Sequence, residues 1–209
     1  MGIVLMETLT RQQLRTQETQ ARLLQAAEEI FVRDGFEGAQ LDEIAIAAGR
    51  SKGSVYTHFK NKEDLFLVLF ENRTKSYVEG LGDSIRKCAS RRQSFEAFRA
   101  FYVALVRDKA FSILTLEFKL YALRHPESKE RFRKVFEISK ATADIDLYAQ
   151  MFGEDTRGTM TDNHLAQTAL GPILSGLILE SNFEPDVLSD EGLRRILGRI
   201  FDALYPPLG

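Results

Sequence analysis

The chain has 209 residues, 44% hydrophobic and 28% charged, with a net charge of −2. That mixture excludes a disordered tail, a collagen-like repeat and a wholly basic nucleic-acid coat, and the length suits one ordinary domain or a small domain joined to a larger one. A single cysteine, Cys88, excludes an internal disulfide. The apolar run Ile3 to Met6 is too short for a signal-peptide core, and no stretch reaches about 18 apolar residues, so a cytoplasmic protein with no membrane partner is expected.

In chain order, the pattern predicts helix almost throughout. A polar arm, Thr8 to Gln20, carries Arg11 and Arg15. It either extends the first helix or reaches outward with its two arginines. The first helix is predicted over about Thr19 to Arg33, with Leu24, Ala27, Ile30 and Phe31 on one stripe and Gly35 just past its end. A short second helix runs from Leu41 to Ala48, where Leu41, Ile44, Ala45 and Ala48 share a face, and Gly49 ends it. Ser51 suits the N-cap of a third helix, Lys52 to Phe59. Asn61 suits the cap of a fourth, which reaches the Gly80/Gly82 pair or slightly beyond.

Beyond a connector at Ser90 to Arg92, helices are predicted near Ser94–Arg107, Phe111–His125, Glu127–Phe152, Asp162–Ser181 and Asp190–Tyr205. About nine helices and no strand define an all-α fold. A helix-turn-helix unit is expected at 1–64, with the arm at 1–18, and a larger helical domain at 65–209.

Residues 41 to 60 carry the chemistry. Two short helices joined by a glycine-containing turn are the layout of a DNA-binding helix-turn-helix. Ala45 is small enough for a close helix crossing, and Val55 and Phe59 can anchor the third helix inward. Lys52, Ser54, Tyr56, Thr57 and His58 are left on its outer side. From Gly49 to Lys62 there are four cations (Arg50, Lys52, Lys60, Lys62) and no acid. A protein that touches phosphates with one edge carries its charge in this way. A solvated basic patch on an ordinary bundle is the plainer alternative.

The stretch from Ala21-Arg22-Leu23-Leu24 through Gly35-Phe36 and Leu41-Asp42-Glu43-Ile44-Ala45 to Gly49-Arg50-Ser51-Lys52-Gly53-Ser54-Val55-Tyr56-Thr57-His58-Phe59-Lys60-Asn61-Lys62 resembles the N-terminal domain of TetR-family transcriptional regulators. The resemblance implies an all-helical homodimer that binds double-stranded DNA. It makes Lys52, Ser54, Tyr56 and His58 the DNA-facing residues of a recognition helix, Tyr56 and His58 phosphate contacts, and Lys62 a phosphate clamp. Arg50, Ser51, Gly53 and Thr57 complete the expected DNA face. Gln40 stands at the cap of helix two, where the family usually has Thr or Ser, and glutamine is the poorer cap. Ser54 stands where Thr is commoner, so the hydroxyl is kept and a methyl that can touch thymine is lost.

The family also keeps an apolar cavity for a small apolar or aromatic ligand. Phe98, Phe101, Tyr102, Leu105, Phe111 and Leu114 are candidates to line it, together with Glu117, Phe118, Tyr121, Phe136, Tyr148 and Phe152. Each of these is also a plausible core residue, and Glu117 can instead pair with Arg124. The last two helices are expected to form the dimer face. Leu165, Thr168, Ala169, Pro172, Ser175, Gly176 and Leu179 would come from one, and Leu193, Ile196, Leu197 and Ile200 from the other. The implied function is a ligand-responsive regulator, a repressor on a palindromic operator.

An enzyme fits less well. His58, His125 and His164 are far apart, with no cysteine or carboxylate at metal-ligand spacing, and no P-loop occurs. No catalytic residue, metal or cofactor is expected. A helical adaptor with a vestigial head is a third reading, opposed by the acid-free cationic segment.

Overall fold

The computed structural model describes residues 10–127, 129–131, 133–134, 162–184, 186 and 188–204. These form eight helices with defined bounds: α1 (Arg11–Gly38), α2 (Leu41–Ala47), α3 (Lys52–His58), α4 (Lys62–Arg86), α5 (Arg91–Arg107), α6 (Lys109–Arg124), α7 (Asp162–Phe183) and α8 (Asp190–Leu204). There is no strand among the described residues. The predicted helix Glu127–Phe152 lies mostly outside them.

Contacts divide the chain into Met1–Phe70 and Glu71–Gly209. In the first unit α1 packs on α2 and α2 on α3. The core consists of Leu23, Ala26, Ala27, Ile30 and Phe31 of α1, Ile44 and Ala45 of α2, Val55 and Phe59, and Leu65, Phe66, Leu69 and Phe70 from the first turns of α4. Phe66 meets Phe31 edge-on at 4.9 Å and Phe36 at 5.2 Å. Leu23, rather than Leu24, is the fully buried leucine of the α1 stripe.

The first helix begins earlier than its apolar stripe. Thr10 accepts from the Gln13 N–H while the Gln13 side chain accepts from the Thr10 N–H, which satisfies two backbone donors at the helix start. The described part of the arm is therefore helical from Arg11. Gly35 sits at φ +72° and kinks the end of α1, as its predicted place past the stripe requires.

In the second unit α5 packs on α6, α7 and α8, and α7 also packs on α6 and α8. Ile85, Phe98, Leu170 and Phe201 form one core cluster. Val106, Leu174, Leu193 and Leu197 form another. Three helix starts here are capped as the sequence allows, by Ser90 for α5, Asp108 for α6 and Ser189 for α8.

Candidate nucleic-acid interface

The turn between α2 and α3 is built by Gly49, whose φ of +65° only glycine adopts without strain. Ala48 is buried beneath it. Ser51 follows as the N-cap of α3, its hydroxyl accepting from the Ser54 N–H at 3.3 Å. Val55 and Phe59 are buried and fix which side of α3 faces out. On that outer side Lys52, Gly53, Tyr56 and Thr57 are exposed, and Ser54 and His58 are half-buried. Tyr56 is 51% exposed, a high value for a large ring that solubility does not require. Thr57 donates its hydroxyl to the Gly53 carbonyl at 2.9 Å, which leaves the oxygen able to accept. The start of α4 is capped reciprocally: Asn61 accepts from the Asp64 N–H at 2.8 Å, and Asp64 accepts from the Lys60 N–H at 3.0 Å.

Of the cations expected on the DNA face, Lys52 and Lys62 already have partners within the chain. Lys52 Nζ makes an ion pair with Asp42 of α2 at 2.8 Å, and this partner holds the lysine pKa above its ordinary value. Lys62 points away from solvent. Its Nζ donates to the carbonyls of Glu37 at 3.0 Å and Ala39 at 3.2 Å, and lies 4.8 Å from the Phe36 ring centroid. Burial pushes its pKa down, against a smaller upward pull from Glu37. Its geometry is that of a backbone cap at the α1–α2 junction. Arg50 is half-buried, its Nε enclosed. Lys60 is exposed.

A count of charges from Gly49 to Lys62 leaves out Asp42, the acid that the fold brings to Lys52. Glu43 of α2 takes Arg33, which Asp34 also binds, so that the guanidinium pKa is raised, first by Asp34 and then by Glu43. Gln40 makes no side-chain cap to α2, as its poor fit to that role anticipated. Its amide donates to the Gly38 carbonyl at 3.4 Å instead. Ile46, 76% exposed on α2, was not singled out by its pattern. The string Gly49-Arg50-Ser51-Lys52-Gly53 has the glycine-serine-glycine spacing of a hydrolase nucleophile elbow. It joins two helices rather than a strand and a helix, and its serine caps α3.

In the second unit Phe98, Leu114 and Phe118 are buried, and Phe101, Tyr102, Leu105, Phe111, Glu117 and Tyr121 are half-buried. Phe98 belongs to the Ile85–Phe201 core cluster. Phe136, Tyr148 and Phe152 lie outside the described residues. Of the expected dimer face, Pro172, Gly176 and Leu179 are exposed, while Ala169, Ser175, Ile196 and Ile200 are half-buried. The side chains of Leu165 and Thr168 lie outside the described set. Leu193 and Leu197 correct the expectation. They are buried within one chain against Val106 and Leu174, because the α8 stripe is covered by α5 and α7. Among the described residues no group of three or more His, Cys, Asp and Glu side chains could hold a metal ion, and no helix is long and apolar enough to cross a membrane.

The class these features define is an all-α helix-turn-helix protein. Residues 23–69 match the family model described as bacterial regulatory proteins, tetR family. The match covers the N-terminal domain alone, and this part of the chain is similar to the DNA-binding domain of that family. The chain is 29% identical over 128 residues to the fatty acid metabolism regulator protein of Bacillus subtilis (strain 168), covering 59% of this chain and 62% of that protein. It is 36% identical over 92 residues to the HTH-type transcriptional activator FasR of Mycolicibacterium smegmatis, covering 44% of this chain and 42% of the relative. The matched stretch thus spans less than two thirds of either relative. Among solved structures, the transcriptional regulator FadR from Bacillus subtilis in complex with stearoyl-CoA has a similar fold, with a TM-score of 0.67 at 19% identity over 90% of this chain and 99% of that one.

Proposed function

We propose that the chain is a DNA-binding transcriptional regulator that inserts α3 into the major groove. The observation that carries this reading is α3 itself. It is capped by Ser51, anchored by Val55 and Phe59, and leaves Tyr56 in the open beside Lys52 and Thr57. A helix so held presents hydrogen-bonding side chains on a rigid base, as groove recognition needs. In this reading the chain acts as a homodimer on a pseudo-palindromic site and represses by occluding a promoter.

An apolar effector bound in the second unit would favour a dimer geometry with the wrong head spacing. A tenfold loss of DNA affinity needs only about 1.4 kcal/mol of differential binding between two states. The names of the fatty-acid regulator and of the stearoyl-CoA complex make a long-chain acyl thioester the first effector to try. The half-buried rings of α5 and α6 suit an apolar chain.

The test is selection of bound genomic fragments, followed by mobility shifts with Tyr56→Ala. This exposed residue should be replaceable with a stability change within about 0.5 kcal/mol. Binding should fall at least tenfold while helical content is unchanged. Unaltered binding would remove α3 from the interface.

A further inference from the structure

The cation at the start of the recognition helix is already committed. Lys52 Nζ lies 2.8 Å from one carboxylate oxygen of Asp42 and 2.9 Å from the other. Both side chains are 58% exposed, so a phosphate can approach the same ammonium. Asp42 belongs to α2 and Lys52 to α3, so the pair bridges the two helices of the turn motif. The adjacent Glu43 occupies Arg33. Two successive acids of α2 thus each hold a cation, and one of those cations is on α3.

We propose that Asp42 is a specificity-determining positioning residue, which withholds Lys52 from phosphates and leaves it productive only where an operator offers a base-edge acceptor. The inference rests on the reading of α3 as a DNA-recognition helix. A phosphate that takes Lys52 from Asp42 exchanges one anion for another, and the exchange strands the Asp42 carboxylate beside the phosphate backbone. Non-specific binding is held down in consequence. An ammonium has three donors, and with two directed at Asp42 the third remains available. Guanine presents O6 and N7 together in the major groove. Lys52 can reach such an edge without leaving Asp42, and no charge is stranded.

The test compares the full chain with Asp42→Asn, Lys52→Gln and the double variant, each checked for unchanged helical content. Binding is read by fluorescence anisotropy over a salt series. The probes are a duplex recovered by genomic selection and a random-sequence duplex of equal length. Asp42→Asn should tighten the random duplex several-fold and steepen its salt dependence by about 0.9 log units per log unit of salt, the signature of one added phosphate contact. Its operator affinity should change less, so the ratio of the two falls. Lys52→Gln should weaken the operator complex and leave random-duplex binding unchanged, and in the double variant the gain on random DNA should disappear. An unchanged ratio in Asp42→Asn, or a parallel loss on both duplexes, overturns the proposal and leaves the DNA-binding reading standing. If the unaltered chain binds neither duplex, that reading fails and the proposal fails with it.

Discussion

At the scale of single residues, Lys62 separates what a charge count implies from what a side chain does. Its ammonium serves two carbonyls at the end of α1, Glu37 and Ala39, that no helical N–H reaches. Lys62→Met keeps an apolar stem beside Phe36 but leaves both carbonyls without this donor. The expected cost is about 1–3 kcal/mol, read as a lower midpoint in urea unfolding. A variant of full stability would show that the lysine is free to turn outward onto a phosphate. This is why Tyr56, exposed and outside the core, is the cleaner probe of DNA contact. A loss of binding in a Lys62 variant mixes a missing charge with a loosened α1–α2 junction.

At the scale of elements, α4 and α6 are tied together by one carboxylate. Asp108 caps α6 by accepting from the Phe111 N–H at 2.8 Å, and it also takes Arg73 and the Tyr77 hydroxyl from α4. Burial works against its charge, but the bonds from Phe111, Tyr77 and Arg73 outweigh it, and the pKa lies below the ordinary carboxylate value. A carboxylate depressed in the folded state contributes stability above its unfolded pKa of about 3.9, and that contribution is lost as pH falls through the folded value. Asp108→Asn keeps an acceptor for the cap and loses the charge. Its stability should fall short of the parent at pH 7, and the gap should close as the pH drops below about 4. A gap constant with pH, in unfolding curves from pH 7 to pH 2, would mean the charge contributes nothing. Asp108→Ala should cost a further ~1 kcal/mol for the lost cap. Such caps are legible in a sequence because a cap is a local rule: Ser51 and Gly49 read correctly from their neighbours alone. The Thr10–Gln13 box was missed because no apolar stripe follows it closely, and Leu14 is exposed. Arg73 to Asp108 and Asp42 to Lys52 span 35 and 10 residues, and no period predicts them. The α8 stripe shows the same limit. Its spacing reveals that one face is buried, and not whether the cover comes from the same chain or another.

At the scale of the molecule, that distinction decides how the proposed dimer is to be tested. Leu197→Glu would place a carboxylate in the Val106–Leu174–Leu193 cluster and unfold the second unit, so a monomer seen in that variant would say nothing about an interface. The outward side of α7 is the better probe. Leu170, Leu174 and Leu177 turn inward, while Pro172, Gly176, Leu179 and Phe183 recur at i, i+4, i+7 and i+11 on the exposed side. Phe183 is 75% exposed and Leu179 43%, an apolar pair one turn apart. Small residues at one end of the stripe allow close helix approach, and the two large ones at the other supply apolar area to bury. Leu179→Glu with Phe183→Glu should leave helical content and thermal midpoint near those of the parent, because neither side chain is in the core. Light scattering should then give the mass of one chain instead of two. The isolated head can hold only one half-site, whereas a dimer spans successive major grooves about 34–36 Å apart. Affinity for the full operator should therefore drop to that for a half-site, with a salt dependence about half as steep, since half the phosphates are neutralised. A dimer that persists in the double variant would put the two-fold contact on another surface.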